Sequence, residues 1–308
     1  MYILYLFSVC SHQDIADNFD FNSNTIAGTL FLGMLERIPY GSDYSQHLRE
    51  IKDLDIRDDD VYLTAFPKCG THWTWEIMVM LTKGTTEYET KSKECLFLDY
   101  TKAAKVDEHP SPRVLNSHYP CRYVPNGLLK KKTKIVHVMR NSKDAFVSYY
   151  YHKRARDSDK DYCKDFQTFL PFVTGKYGIS LYQPFFEYIK QWESFTQEHP
   201  DQILNLFYED MKEDPVREIK KIDKFLGTNR DSKLIEQIAE ACDFQNLKKA
   251  DAEVKVKEGL MAKGPQFMYR KGEVGDWKNH FTVSMNEQMD KWIDEQSKGI
   301  NIKFRYTI

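Results

Sequence analysis

The chain has 308 residues, 41% of them hydrophobic and 14% aromatic, and its 44 basic and 46 acidic side chains leave a net charge of −2. This composition suits a globular protein with a core to bury and excludes a polybasic surface for nucleic acid or membrane, so any anion has to be held by local cations and helix termini. Six scattered cysteines (Cys10, Cys69, Cys95, Cys121, Cys163, Cys242) form no CxxC pair and no Cys/His cluster at zinc spacing, which points to a reduced, cytoplasmic protein without a structural metal.

The apolar opening, residues 1–10, lacks a basic leader and is too short to span a bilayer, so a signal peptide is disfavoured; nothing later reaches spanning length. Residues 1–57 have Asn-, Ser- and Asp-rich stretches and no strong period, and read as a loosely ordered N-terminal arm leading into one domain over 58–304. A buried strand is expected over 61–66 (Val-Tyr-Leu-Thr-Ala-Phe), stopped by Pro67. After Gly70 a helix is expected, with Trp73, Ile77, Met80 and Leu81 on one face and Thr71 as its cap. The same unit recurs at 135–139, where a strand ends in Arg140 and Asn141 and Ser142 are cap candidates for a helix through Tyr149. A third strand covers 203–208. The helix after it starts at Asp214 and Pro215, ends at Gly227, and turns Val216, Ile219, Ile222 and Leu226 inward. One helix follows over 231–241, and Ser284 with Glu287 reads as a capping box before Met289, Trp292 and Ile293. Strands alternating with helices predict a single α/β domain with a central parallel β-sheet flanked by helices.

In such sheets ligands bind beyond the carboxyl ends of the strands, which is where Lys68, Cys69, Gly70, Thr71, His72 and Trp73 fall. Gly70 lets the backbone approach an anion, the helix start offers N–H groups, and Lys68 adds a full charge. The bland alternative is a turn lysine and a glycine between packed elements. The loop is not a Walker A motif, because the lysine precedes the glycine and no Lys-Ser/Thr pair follows; the usual magnesium-holding hydroxyl is missing. Arg140 at a strand end, with Ser148 two turns into the helix, could grip a second phosphate, or be an ordinary surface arginine and a helix serine. Arg270, Lys271 and Gly272 open a segment running to Trp277 that offers two adjacent cations and two glycines, an anion clamp or a charged surface turn.

Together, Phe-Pro-Lys-Cys-Gly-Thr-His-Trp at 66–73, Arg-Asn-Ser-Lys-Asp-Ala-Phe-Val-Ser-Tyr-Tyr at 140–150 and Arg-Lys-Gly-Glu-Val-Gly-Asp-Trp at 270–277 resemble, in order and spacing, the cytosolic sulfotransferase family. The resemblance implies a nucleotide-kinase-like, P-loop-type architecture. It also implies transfer of a sulfuryl group from 3′-phosphoadenylyl sulfate (PAPS) to a hydroxyl or amine of a small acceptor such as a phenol, alcohol or steroid, leaving PAP and using no metal. Residues 68–73 would surround the 5′-phosphosulfate, with Trp73 stacking on adenine. Arg140, Ser148, Arg270, Lys271 and Gly272 would hold the 3′-phosphate, while Tyr208, Cys242 and Phe244 would touch the nucleotide. His118, following a central strand, would be the catalytic base and Lys68 would stabilise the departing phosphate. Asn116 stands where many members have a lysine, and His152 where many have an aromatic acceptor-pocket residue. Lys278, Thr282, Val283 and Glu287 fit the family's dimerisation pattern and imply a homodimer. The rivals are a catalytically silent PAPS- or PAP-binding protein, which Asn116 keeps open, and a nucleotide kinase, against which the missing Walker A pair speaks. Acceptor choice would lie in 90–110 and 245–268, whose composition says nothing about it.

Overall fold

A computed structural model of the chain describes residues 44–156, 163–175, 184–257 and 269–308. The apolar residues 1–10 and the 258–268 part of the second acceptor loop lie outside the described residues. Four parallel strands form the sheet: β1 (Val61–Ala65), β2 (Val114–Ser117), β3 (Lys134–Met139) and β4 (Ile203–Phe207), in the order β2-β1-β3-β4. The register pairs Thr64 with Ser117 and His137, and Met139 with Phe207. All four carboxyl ends therefore share one edge. Because the chain goes from β1 outward to β2 and then back to β3 on the other side, the crevice beyond β1 is the topological switch point.

Both faces are covered, as near-continuous apolar strands require. On one face lie helix α2 (Thr71–Lys83) and helix α9 (Pro215–Leu226), whose Ile219 and Ile222 are fully buried. On the other lies helix α7 (Phe185–Glu198), where the Tyr188 hydroxyl and Thr64 Oγ1 are 2.7 Å apart and Trp192 packs on the His137 ring at 5.5 Å. The stretch expected to be a loosely ordered arm ends in helix α1 (Tyr44–Lys52), which buries His47, Leu48 and Ile51 against the domain. Only three contact residues mark that helix, too few to stand out of its polar sequence.

Several expected boundaries move. Phe66 leaves the strand to sit among four rings, Phe146, Tyr149, Phe185 and Tyr188, with centroids 5.0 to 6.4 Å away. Tyr208 opens helix α8 (Tyr208–Glu213) rather than closing β4. The helix after Arg140, α5 (Ser142–Arg156), continues two turns beyond Tyr149, and Asn141 caps it by accepting the Asp144 N–H at 2.9 Å. Helix α10 (Ser232–Ala241) fills the expected span, with Asp231 as its cap instead of its first residue. The last helix, α12 (Val283–Gln296), is capped by Thr282 Oγ1, which accepts the Met285 N–H at 3.2 Å; Ser284 is already inside it, accepting from Gln288. The spacing Ser-x-x-Glu thus mimics a capping box two residues too late. Finally, β2 is the outermost of the described strands, extended only by a bridge between Phe97 and Asn116.

Candidate active site

Each strand end delivers one expected functional residue to the shared edge: the 66–70 turn after β1, His118 after β2, Arg140 after β3 and Tyr208 after β4. Within the turn, Lys68 (φ 69°) and Gly70 (φ 110°) are both left-handed, which curls the backbone into a concavity of N–H groups. A non-glycine residue held there is strained, as residues at ligand clamps often are. Gly70, not Thr71, caps α2, and no side chain bonds the first turn. A Thr71 cap would have placed a hydroxyl over the donors that an anion needs; with glycine they face outward. A Cβ on Gly70 would lie 3.0 Å from the Tyr208 ring, so glycine also admits Tyr208 to the loop. Trp73 meets Tyr208 edge to face at 5.6 Å, making an aromatic wall at the mouth. Cys69 is fully buried and burial pushes its thiol far above the ordinary range, so its part in the loop is played by the backbone.

Arg140 joins the three distant segments. Its guanidinium donates to the Lys68 carbonyl at 3.3 Å and to the Glu273 carbonyl at 2.8 Å, and stacks 4.1 Å over Tyr208. Beside it, Arg270 and Lys271 are turned by Asp276, whose carboxylate also accepts from Asn279 at 2.9 Å. Burial opposes ionisation of Asp276, but hydrogen bonds from Lys271, Asn279 and Arg270 outweigh it and hold the carboxyl well below its usual range. Arg270 stacks 4.6 Å over Tyr151 of α5, three residues past the half-buried Ser148 and so on the same helix face. Gly272 (φ 71°) lies flush against Phe244, where an added Cβ would come within 2.3 Å of the ring. Phe244 is the first residue of helix α11 (Phe244–Lys257). Arg140 and Arg270 each bury an Nε–H that no described acceptor takes, an arrangement that proteins rarely leave without a ligand. Cys242, by contrast, is buried with Sγ 3.7 Å from Met80 Sδ, so its thiol faces the core.

His118 is held at two points. Its N–H donates to the Asp99 carboxyl at 3.0 and 3.2 Å, and its Nδ1 lies 2.6 Å from the Ala65 carbonyl oxygen. A carbonyl only accepts, so Nδ1 carries the proton and Nε2 is the basic nitrogen. Burial, then the charges of Lys93 and Lys68, push the imidazole down to about 3, against the Ala65 hydrogen bond. Burial raises the Asp99 carboxyl to about 8. Asn116 is fully buried and bonded internally: its amide donates to the Lys93 and Leu96 carbonyls, and its Oδ1 accepts from Lys93 Nζ at 3.2 Å. His152, on α5, sits 6.5 Å from the Tyr149 ring, and His72 reaches Glu94 at 3.1 Å.

Sequence reading missed the acidic residues that place these groups. Glu209 is buried and accepts from the Asn141 backbone and side chain at 2.9 Å, fixing the turn after Arg140. Asp144 accepts from the Gly275 N–H at 2.7 Å and the Trp277 N–H at 2.9 Å, tying the third segment to the start of α5. Their only signal was acidity beside a motif.

Fold and site together define an α/β protein of the phosphate-loop class, with a buried histidine and a left-handed Lys-Cys-Gly turn at one sheet edge. Residues 58–301 match the family model described as the sulfotransferase domain. Sulfotransferase 1E1 of Bos taurus is 33% identical over 292 residues, covering 90% of this chain and 97% of its own. Sulfotransferase 1A1 of Canis lupus familiaris is 31% identical over 287 residues, covering 89% and 95%. Among solved structures, mouse sulfotransferase SULT7A1 complexed with PAP superposes with a TM-score of 0.67 at 25% identity, over 84% of this chain and 91% of that one. The chain belongs to the sulfotransferase family and is a sulfotransferase enzyme. Among the described residues no helix is long and apolar enough to cross a membrane.

Proposed function

We propose that this chain transfers the sulfuryl group of PAPS to a hydroxyl or amine of a small acceptor, with His118 as the base. The observation that carries the reading is the pair of buried, unaccepted Nε–H donors of Arg140 and Arg270 beside the left-handed turn at Lys68 and Gly70: two anion subsites at one sheet edge suit a nucleotide with phosphates at both ends. Relatives named as sulfotransferases and a neighbour crystallised with PAP support it. In this reading the concave turn and residues 71–73 hold the 5′-phosphosulfate, Trp73 and Tyr208 wall the adenine, and Arg140, Ser148, Arg270 and Lys271 hold the 3′-phosphate.

The step is an in-line displacement. The acceptor oxygen forms a bond to sulfur as the bond from sulfur to the bridging phosphate oxygen breaks, and that oxygen leaves with the electron pair as part of PAP. The acceptor proton passes to Nε2 of His118, which is neutral because burial and two lysines disfavour its cation. Lys68, whose charge is felt at His118, would offset the charge of the departing oxygen. A homodimer is part of the proposal: Lys278, Thr282, Val283 and Glu287 are all exposed, Val283 at 78%.

Incubation with labelled PAPS and a panel of phenols, alcohols, steroids and amines, without added metal, tests the reaction. Labelled product is expected; tight PAP binding with no product on any acceptor would establish the silent binder instead. Arg140→Ala is expected to weaken PAP by about 1.5–3 kcal/mol, roughly ten- to a hundredfold in Kd by calorimetry. An unchanged Kd would remove Arg140 from the phosphate site.

A further inference from the structure

Helix α1 lies ahead of the sulfotransferase domain at 58–301 and outside all three motifs. It nevertheless buries an imidazole completely, that of His47, against the segment beside the base. His47 Nε2 is 2.8 Å from the Leu98 carbonyl oxygen. A carbonyl only accepts, so Nε2 carries the proton and donates it. Both neighbours of Leu98 touch His118. The Asp99 carboxyl accepts the His118 N–H at 3.0 and 3.2 Å, and the Phe97 ring meets the His118 ring edge to face at 5.0 Å. Leu98 is itself laced to the end of β2: its N–H donates to the Asn116 carbonyl at 2.9 Å, and its carbonyl also accepts from the hydroxyl of Tyr119, the residue after the base, at 3.2 Å.

Burying a polar ring costs stability unless it hydrogen-bonds, and an apolar side chain at 47 would fill the space without that cost, so what the His47 donor points at matters. It points at the carbonyl between the two residues that touch the base. The other donor to that oxygen, Tyr119, sits on the same strand end as His118, whereas α1 is a separate element seated in the core through Leu48 and Ile51. The His47 bond therefore ties the 97–99 segment to an anchor that does not travel with the base. The His118 ring is held on β1 by the Ala65 carbonyl at 2.6 Å and its backbone by Asp99, and the two holds have to agree for Nε2 to stay in place. We propose that His47 is a positioning residue for the base, keeping Phe97 and Asp99 against His118 through Leu98. This rests on the reading of His118 as the base of sulfuryl transfer. His47 makes no bond to a reactant in this scheme; the acceptor proton still goes to His118 Nε2 and the electron pair to PAP. A base displaced by about 1 Å can lose about 10²-fold in rate, so an anchor two steps removed from the chemistry is felt in turnover.

Three variants separate a directed donor from a packed ring. In His47→Gln the amide nitrogen can stand where the imidazole Nε2 stood, in His47→Asn it is too short to reach, and His47→Leu fills the space without a donor. Turnover is read with labelled PAPS and the panel of phenols, alcohols, steroids and amines, with kcat normalised to the fraction of molecules that bind PAP by calorimetry. His47→Leu and His47→Asn are expected to lower that kcat at least about tenfold and to leave the PAP Kd within about twofold, while His47→Gln stays within about threefold of wild type on both. An unchanged kcat in His47→Leu, a PAP affinity that falls in step with kcat, or a Gln variant no faster than the Asn variant would overturn the proposal. Should His47→Leu not fold, the two amides decide: faster turnover with Gln than with Asn supports the anchor, and equal turnover overturns it. A wild type that binds PAP but labels no acceptor would instead refute the transfer reading, and full turnover in His118→Ala would refute the base.

Discussion

A single imidazole shows how position sets chemistry. His118 is one of nine histidines, and its residue type alone does not make it a base. The Ala65 carbonyl fixes its tautomer, the Asp99 carboxyl fixes its backbone, and burial with Lys93 and Lys68 lowers its pKa to about 3. A base must be neutral to accept a proton, and a lowered pKa extends the neutral form to acid pH. Asp99, raised to about 8, barely changes its charge between pH 5 and 7. The expected kcat/KM profile therefore stays level from pH 7 to pH 5, without the fall near 6.5 that a solvated histidine gives. A half-maximal point near 6.5 would show that the imidazole is not held this way. His118→Ala is expected to lower kcat by roughly 10²- to 10⁴-fold while sparing PAP affinity, read by turnover and calorimetry side by side.

At the scale of elements, the site depends on how α5 captures the 270–277 segment. Both Asp144 oxygens serve this capture, taking the Gly275 and Trp277 N–H groups, and the Asn141 amide at 2.9 Å holds the same carboxylate. Removing an acceptor from part-buried donors costs up to about 1–3 kcal/mol for each group left unpaired, so Asp144→Ala is expected to raise the PAP Kd by about tenfold. Hydrogen exchange should speed up over 270–277 and not in β1 or β3; protection unchanged over 270–277 would show that other contacts hold the segment. Thr282 caps α12 and turns Val283 outward, which gives that helix start an exposed apolar residue. If the helix start joins two copies, Val283→Glu converts a dimer to a monomer in sedimentation velocity, and a wild type that is already monomeric rejects the interface.

The whole molecule depends on a buried charge pair far from the chemistry. Arg113, fully buried, forks onto Asp60 with Nε to Oδ1 at 2.9 Å and Nη2 to Oδ2 at 2.6 Å, and also reaches the Asp55 carbonyl and Asp107. These contacts pin the start of β1 to the start of β2, which sets the height of the Lys68 turn against His118. Asp60→Ala leaves the guanidinium buried without its main partner, at a cost of about 3–5 kcal/mol, to be measured by urea unfolding. A loss under 1 kcal/mol would mean that Asp107 and water take over the charge.

The sequence by itself determined the parallel α/β class and placed the segments proposed to bind anions at strand ends, because strand runs, a glycine turn and helix starts are local signals carried by adjacent residues. Phe66 to Trp73, Arg140 and Arg270 were legible for that reason, and so was the helix bounded by Asp214 and Gly227. Helix caps were misplaced where two hydroxyls competed within two residues, as at Thr282 and Ser284, since backbone angles and not composition choose between them. Only the tertiary structure decided that Arg140 bridges Lys68 and Glu273, that Asp144 and Glu209 act as clamps, and that Lys93 stands beside Asn116. Those contacts join residues from 23 to 133 positions apart, and such pairings leave no periodicity to read; they exist only once the sheet brings its four carboxyl ends to one edge.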